Sequence, residues 1–302
     1  MAKYPPSTWL DQSNVHKLDI LTSHLHSYPY DDKEFKILDI CIIMSHDGKQ
    51  RIIGLSTGCL YNWDPEVISK GYDGLSLLLK SEMANAVEIL FYYPETILNS
   101  EIPDGIDGLL SKFVYRSIHA PWVGIKYDGR KRSKEVLEKL AEHAELIHAN
   151  AIVFHVPNVS DMEMLNQSDL PILIENTRKR KRGYSSSELA KILDYDNLGY
   201  VLDVAHLFQT NIGREEIKQI LILMEKKLRE IHVSGFSSSN KQTRQPLYQT
   251  NMQYREKIIA TLGQLPNLPI IIESRFRVHD VISFDEEINF IQNSLDCREG
   301  TL

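Results

Sequence analysis

The chain has 302 residues, 42% of them hydrophobic and 25% charged, and a formal net charge of −7 at pH 7. These are ordinary globular values, and the acidic balance argues against a protein that coats nucleic acid by bulk charge. The three cysteines, Cys41, Cys59 and Cys297, are far apart and form no C-x-x-C pair, which excludes a disulfide framework or a zinc knuckle.

The start, Met1–Gln12, lacks the apolar core of a secretory signal, and apolar runs such as Ile220–Met224 are too short to span a bilayer. A cytoplasmic protein with no membrane association is therefore expected. Residues 1–49 precede any repeating pattern. Pro5-Pro6 and Tyr28–Asp32 read as loop, Lys36–Met44 as an extra strand and His46–Lys49 as a hairpin turn. This extension is expected to close the bottom of the following domain or to pair at its edge.

From residue 50 onward, short β-branched apolar runs alternate with stretches of helical periodicity. Strands are expected at Arg51–Ser56, Val87–Phe91, Val114–His119, Ala151–His155, Pro171–Glu175, Gly199–Asp203, Glu230–Ser234 and Leu268–Glu273. Helices are expected at Ser133–Ala149, where Val136, Leu137, Leu140, Ala144 and Ile147 share a face, and at Ser185–Leu193, Arg214–Arg229, Tyr254–Leu262 and Asp285–Asn293. Ser133, Ser185 to Ser187, and Ser283 with Glu286 three residues on are capping candidates.

Strands that are apolar along most of their length are buried on both faces, as in a parallel sheet. Eight such βα units over about 245 residues predict an α/β fold, a (β/α)8 TIM barrel over 50–296, with the N-terminal extension before it and a short tail, 297–302, after it. The rival, a doubly wound open sheet, calls for a glycine-rich phosphate turn after the first strand, which Ser56–Cys59 does not supply.

In such a barrel the chemistry sits at the C-terminal ends of the strands. Those ends carry Glu88, His119, His155, Glu175, Asp203 with His206, His232 and Glu273. Buried strand ends seldom carry such groups unless they are paired, and imidazoles with carboxylates together are ligands for Zn²⁺, Mn²⁺ or a similar ion. The remaining histidines, His16, His24, His26, His46, His143, His148 and His279, have structural readings.

The segments SIHAPW (117–122), IVFHVPN (152–158), ILIENT (172–177), YVLDVAHLF (200–208), REIHVSG (229–235) and IIIESR (270–275) resemble the xylose-isomerase-like barrel superfamily. That group includes sugar and sugar-phosphate isomerases and epimerases and the endonuclease IV type of apurinic-site enzyme. The resemblance implies a four-ligand metal site at Glu175, Asp203, His232 and Glu273. It also implies a second position at His119 and His155, bridged by Glu175, so one or two divalent ions, zinc or manganese before magnesium or cobalt. The third ion of the endonuclease branch also requires an Asp-x-His, for which this chain has Thr243-Arg244-Gln245. The epimerase branch has Glu or Arg soon after the histidine of the seventh strand, where this chain has GFSSSN.

The loops beyond strands three, five, seven and eight are basic: Lys126 with Arg130 to Arg132; Arg178 to Arg182; Lys241 and Arg244; Arg275 and Arg277. A basic mouth on an acidic protein suggests an anionic ligand, a phosphorylated sugar before a nucleic acid. Trp63, Tyr92, Tyr93, Trp122 and Tyr127 are candidates to stack on it.

The function expected is a metal-dependent sugar or sugar-phosphate isomerase or epimerase acting by proton transfer through a metal-stabilised enediolate. Glu175 and Glu273 would be base and acid, and Glu88, His206, Arg178, Arg244, Arg275 and Trp122 would bind substrate. The alternatives are an endonuclease IV-like phosphoesterase acting on apurinic DNA or another phosphate ester, and a non-catalytic metal-binding sensor. A homo-oligomer is compatible with all three.

Overall fold

The computed structural model describes residues 51–60, 71–72, 74–178, 181–209, 212–237, 244–276 and 281–299, all within one unit, Ile42–Leu302. The expected extension, 1–49, lies outside the described residues, as do Trp63, Lys179, Arg180, Lys241, Thr243, Arg277 and His279.

Eight parallel strands close into a barrel: β1 (Ile53–Ser56), β2 (Ala86–Leu90), β3 (Tyr115–His119), β4 (Ala151–His155), β5 (Ile172–Glu175), β6 (Gly199–Asp203), β7 (Leu228–Val233) and, after a small ribbon, β10 (Ile270–Ile272). β1 pairs with both β2 and β10, which completes the ring. The ribbon is a two-residue antiparallel pair, β8 (Gly235–Phe236) and β9 (Arg244–Gln245), beyond the end of β7. All eight expected barrel strands are present, with ends within about two residues of those read from the apolar pattern.

The long helices form the outer ring. α4 (Lys131–Leu146) buries Val136, Leu140 and Ala144 on one stripe, with Ile147 just beyond its end. α6 (Ser186–Leu193), α8 (Arg214–Met224), α9 (Met252–Leu262) and α10 (Val281–Glu299) occupy the other expected positions. The short helices α1 (Leu75–Leu78), α2 (Pro94–Leu98), α3 (Ile106–Leu110), α5 (Met162–Asn166) and α7 (Val204–Gln209) give no helical period to read, having six residues or fewer.

Three boundaries differ from expectation. Ser133 does not cap α4: the helix begins at Lys131, and the Ser133 hydroxyl turns back to the Arg130 carbonyl at 2.9 Å. Ser283 lies inside α10, which begins at Val281 and runs past residue 296 to Glu299. α8 stops at Met224 rather than 229, because Leu228, 3% exposed, already belongs to the buried sheet. Ser185 does cap α6, accepting from the Glu188 amide, while the Glu188 carboxylate accepts from the Gly183 and Tyr184 amides.

Close strand packing explains Gly54. A Cβ there would lie 1.8 Å from the Ala86 carbonyl oxygen on the paired strand, so only hydrogen fits. Among the described residues, no helix is long and apolar enough to cross a membrane.

Candidate metal centre

Parallel register brings the polar strand ends together: His155 lies level with Glu175, and Asp203 with His232. Side chains two apart on a strand share a face. Tyr115, Ser117 and His119 therefore climb one face of β3, and Glu230 and His232 climb one face of β7, into the barrel.

Glu175 is the hub, fully buried at the end of β5. His155 Nε2 lies 2.6 Å and His119 Nε2 3.4 Å from its Oε2, while His232 Nδ1 lies 3.6 Å and His206 Nδ1 3.8 Å from its Oε1. The two longer approaches exceed hydrogen-bond length and the two shorter lack its alignment, so both oxygens of Glu175 lack a hydrogen-bond partner. His232 Nδ1 lacks one too, and it lies 3.6 Å from Glu273 Oε2.

Local hydrogen bonds orient the imidazoles. His119 Nδ1 donates to the Ala120 carbonyl at 3.1 Å, which turns the Nε2 lone pair towards Glu175. His232 Nε2 donates to Glu230 Oε1 at 2.8 Å, with Glu88 Oε2 3.3 Å from the same nitrogen, and this leaves Nδ1 facing the centre. Glu230 is held in turn by the Tyr115 hydroxyl at 2.7 Å and the Ser117 hydroxyl at 3.3 Å. A carboxylate behind a ligating histidine is the usual means of fixing its tautomer.

The D-x-x-H of the sequence is a helix cap. Asp203 ends β6 and its Oδ1 accepts from the His206 amide at 3.0 Å, opening α7. Asn176 clamps the same point, donating to the Asp203 carbonyl at 3.1 Å and accepting from the Asp203 amide at 2.7 Å.

Arg244 enters from β9. It donates to Glu273 Oε2 through Nη1 and to Asp203 Oδ2 through Nη2, the latter at 3.0 Å, and Nη2 also lies 3.4 Å from His206 Nε2.

Burial and neighbouring charge oppose each other throughout. Burial would raise the Glu175 carboxyl, but the surrounding histidines, His155 first, hold it well below the ordinary carboxylate range. Burial would lower His232, but Glu273 and Glu88 hold it well above the ordinary imidazole value. In His155 burial prevails over the pull of Glu175 and keeps the imidazole below its ordinary value. Burial raises Glu230, and the hydrogen bond from His232 only partly offsets this.

The sequence-derived candidates fall into three groups. Glu175, Asp203, His232, Glu273, His119 and His155 converge, together with His206. Glu88 is fully buried against His232, and Arg244 is in the cluster itself. Trp122, Tyr92, Arg178 and Arg275 are half-buried around it, and Trp122 packs its ring 4.7 Å from that of His119 and 5.1 Å from that of His155. The basic stretch after β3 is more neutral than its sequence suggests, since Arg130 pairs with Asp128, Lys131 with Glu135 and Arg132 with Glu95. Tyr127 is fully buried against Phe154 and His143 against Tyr72, both as packing.

The donor set fits a divalent cation. Among the described residues, five carboxylates that are at most 8% exposed (Glu88, Glu175, Asp203, Glu230 and Glu273), of which burial raises Glu230, face one guanidinium and the raised His232, with oxygens and an imidazole nitrogen left unpartnered. Buried charge in that imbalance calls for further positive charge. Candidate ligand groups are His119, His155 and Glu175; His119, His232 and Glu273; Glu88, Glu230 and His232; and Glu175, Asp203 and His206.

No protein-family model and no curated protein matches the sequence. Solved structures do match. A D-tagatose 3-epimerase-like protein aligns with a TM-score of 0.58 at 14% identity, over 82% of this chain and 99% of its own. Endonuclease IV from Thermus thermophilus aligns with a TM-score of 0.56 at 14% identity, over 81% and 99%. A xylose isomerase-like TIM barrel protein from Mycobacterium smegmatis, in complex with magnesium, aligns with a TM-score of 0.53 at 11% identity, over 81% and 96%. The chain has the fold of the xylose isomerase-like TIM barrels.

Proposed function

We propose that the chain is a divalent-metal-dependent isomerase or epimerase of a sugar or sugar phosphate, moving a proton at the carbon beside a carbonyl group. The observation that carries this reading is the convergence of Glu175, Asp203, His232, Glu273, His119 and His155 on one end of the barrel, with oxygens and an imidazole nitrogen left without partners. A zinc or manganese ion held among these residues would supply the positive charge that favours the enolate-like form of the substrate.

The chain's own groups do the rest. Glu175 and Glu273 are assigned as the proton-transfer pair because both carboxylates approach His232 Nδ1 at the centre, and their neighbours hold both in the ionised form. Arg244 stands beside them and would donate to substrate oxygens, with His206 Nε2 next to its guanidinium. Trp122 and Tyr92, with ring centroids 4.6 Å apart, form an apolar wall for one face of the sugar. Arg178 and Arg275 would take a phosphate group. Glu88 and Glu230 hold His232 from behind.

A second reading is a metal-dependent phosphoesterase, including one acting at apurinic sites in DNA. The His119, His155 and Glu175 group favours it. The guanidinium at position 244, in place of the further ligands such a site requires, speaks against it.

Manganese- or zinc-loaded protein incubated in D2O with a panel of aldoses, ketoses and their phosphates tests the proposal by NMR. Ion-dependent loss of one C–H signal is expected, abolished in Glu175→Gln and Glu273→Gln. Absence of exchange across the panel, combined with nicking of abasic duplex DNA, would replace the first reading by the second.

A further inference from the structure

Building on that metal-centre reading, we infer that Arg244 is a tethered cation that stands in for a second ion, limiting the centre to one ion at His119, His155 and Glu175. Of the four candidate ligand groups, two depend on a carboxylate already engaged by the guanidinium: Asp203 in one and Glu273 in the other. The group Glu88, Glu230 and His232 is also committed, because Glu230 accepts from Tyr115, Ser117 and His232. Glu88 also has unengaged oxygens, but the two other members of its group are tied to each other; in the group His119, His155 and Glu175 the carboxylate is unengaged and a lone pair of His119 is turned inwards.

The fork of Arg244 matches what it replaces. His206 Nδ1 donates to the Asn176 carbonyl at 3.0 Å, so the Nε2 lone pair faces Arg244 Nη2 at 3.4 Å. Asp203, His206 and Glu273 thus present two carboxylate oxygens and an imidazole lone pair to one planar cation. A divalent ion and a guanidinium cannot occupy the same lone pairs.

The arginine is built into place. Its strand, β9, pairs with β8, where a Cβ at Gly235 would lie 1.8 Å from Thr250 Oγ1. The turn that follows is pinned by Glu287 of α10, which accepts from the Leu247 amide at 2.6 Å and the Tyr248 amide at 3.3 Å. The backbone that carries Arg244 is therefore held by its pairing with β8 and by the turn that follows, independently of its two carboxylates.

Metal counting tests this without reference to turnover. Full-length wild type and Arg244→Ala, dialysed against manganese and in parallel against zinc, are assayed by elemental analysis and titration calorimetry, with folding followed by circular dichroism. One ion per chain is expected in the wild type and two in Arg244→Ala, and His155→Ala should lower each count by one. Two ions in the wild type, or no gain in a folded Arg244→Ala, would overturn the role of Arg244 and leave the metal centre standing. No ion in either protein would overturn the metal centre itself. If Arg244→Ala does not fold, Arg244→Gln, which keeps the side-chain stem, is counted instead, and an unchanged count there would overturn the inference.

Discussion

Replacing Glu230 with alanine should weaken both the fold and the metal centre, by amounts the geometry sets. The carboxylate accepts from three buried donors: the Tyr115 hydroxyl, the Ser117 hydroxyl and His232 Nε2. Glu88 Oε2, 3.3 Å from the same imidazole nitrogen, can take over that donor, which leaves two hydroxyls orphaned. At about 1–3 kcal/mol for each unsatisfied buried group the loss is about 2–6 kcal/mol. Glu230 itself is raised by burial, so removing it also relieves a desolvation penalty, and the lower half of that range is expected. A loss of about 3 kcal/mol lowers the melting temperature of a domain this size by about 6–12 °C. His232 Nδ1 lies 3.6 Å from Glu175 Oε1, so loosening it should also disturb that carboxylate and weaken ion affinity by about tenfold. Thermal melting and metal titration of Glu230→Ala, with Glu230→Gln as the volume-preserving control, measure both. A melting temperature and an affinity unchanged from wild type would refute the argument that Glu230 supports His232.

Gly54→Ala should destabilise the barrel by about 3 kcal/mol or more, because its Cβ meets the backbone oxygen of Ala86 at 1.8 Å rather than a movable side chain; denaturant titration of purified protein checks this. Burial raises the Glu287 carboxyl from 4.5 to about 7. A raised folded-state pKa means the folded chain holds a proton the unfolded chain releases, so stability should fall by about 3 kcal/mol as pH rises from about 4.5 to about 7. Glu287→Gln should lose that part of the pH dependence, seen by comparing urea midpoints at both ends of the window, and an unchanged slope would contradict it. Trp122→Ala should free the His119 and His155 rings it packs against, lowering ion affinity by about tenfold in a calorimetric titration, with Trp122→Phe intermediate.

The barrel was legible because its strands are apolar on both faces and separated by amphipathic helices, two periods that differ enough to be told apart by eye. The convergence of the site followed, since all strand ends of a parallel barrel share one side. Glu230 was not singled out, although the signal was present: in Glu230-Ile231-His232 a strand period of two places both polar side chains inside the barrel. The contacts of Arg244 with Asp203 and Glu273 were not legible, because the ribbon of β8 and β9 is two residues per strand, too short to show a period. The charge of the loop after β3 misled for a related reason, since Glu95, the partner of Arg132, is 37 residues away in sequence.

The most direct measurement is a crystal structure of the full chain grown with manganese or zinc, with anomalous data collected at the absorption edge of that metal. An anomalous peak is predicted at about 2.0–2.2 Å from the Nε2 atoms of His119 and His155 and from a carboxylate oxygen of Glu175, with Arg244 still bridging Asp203 and Glu273. The absence of any peak at the strand ends, with the histidines and carboxylates paired only among themselves, would contradict the account.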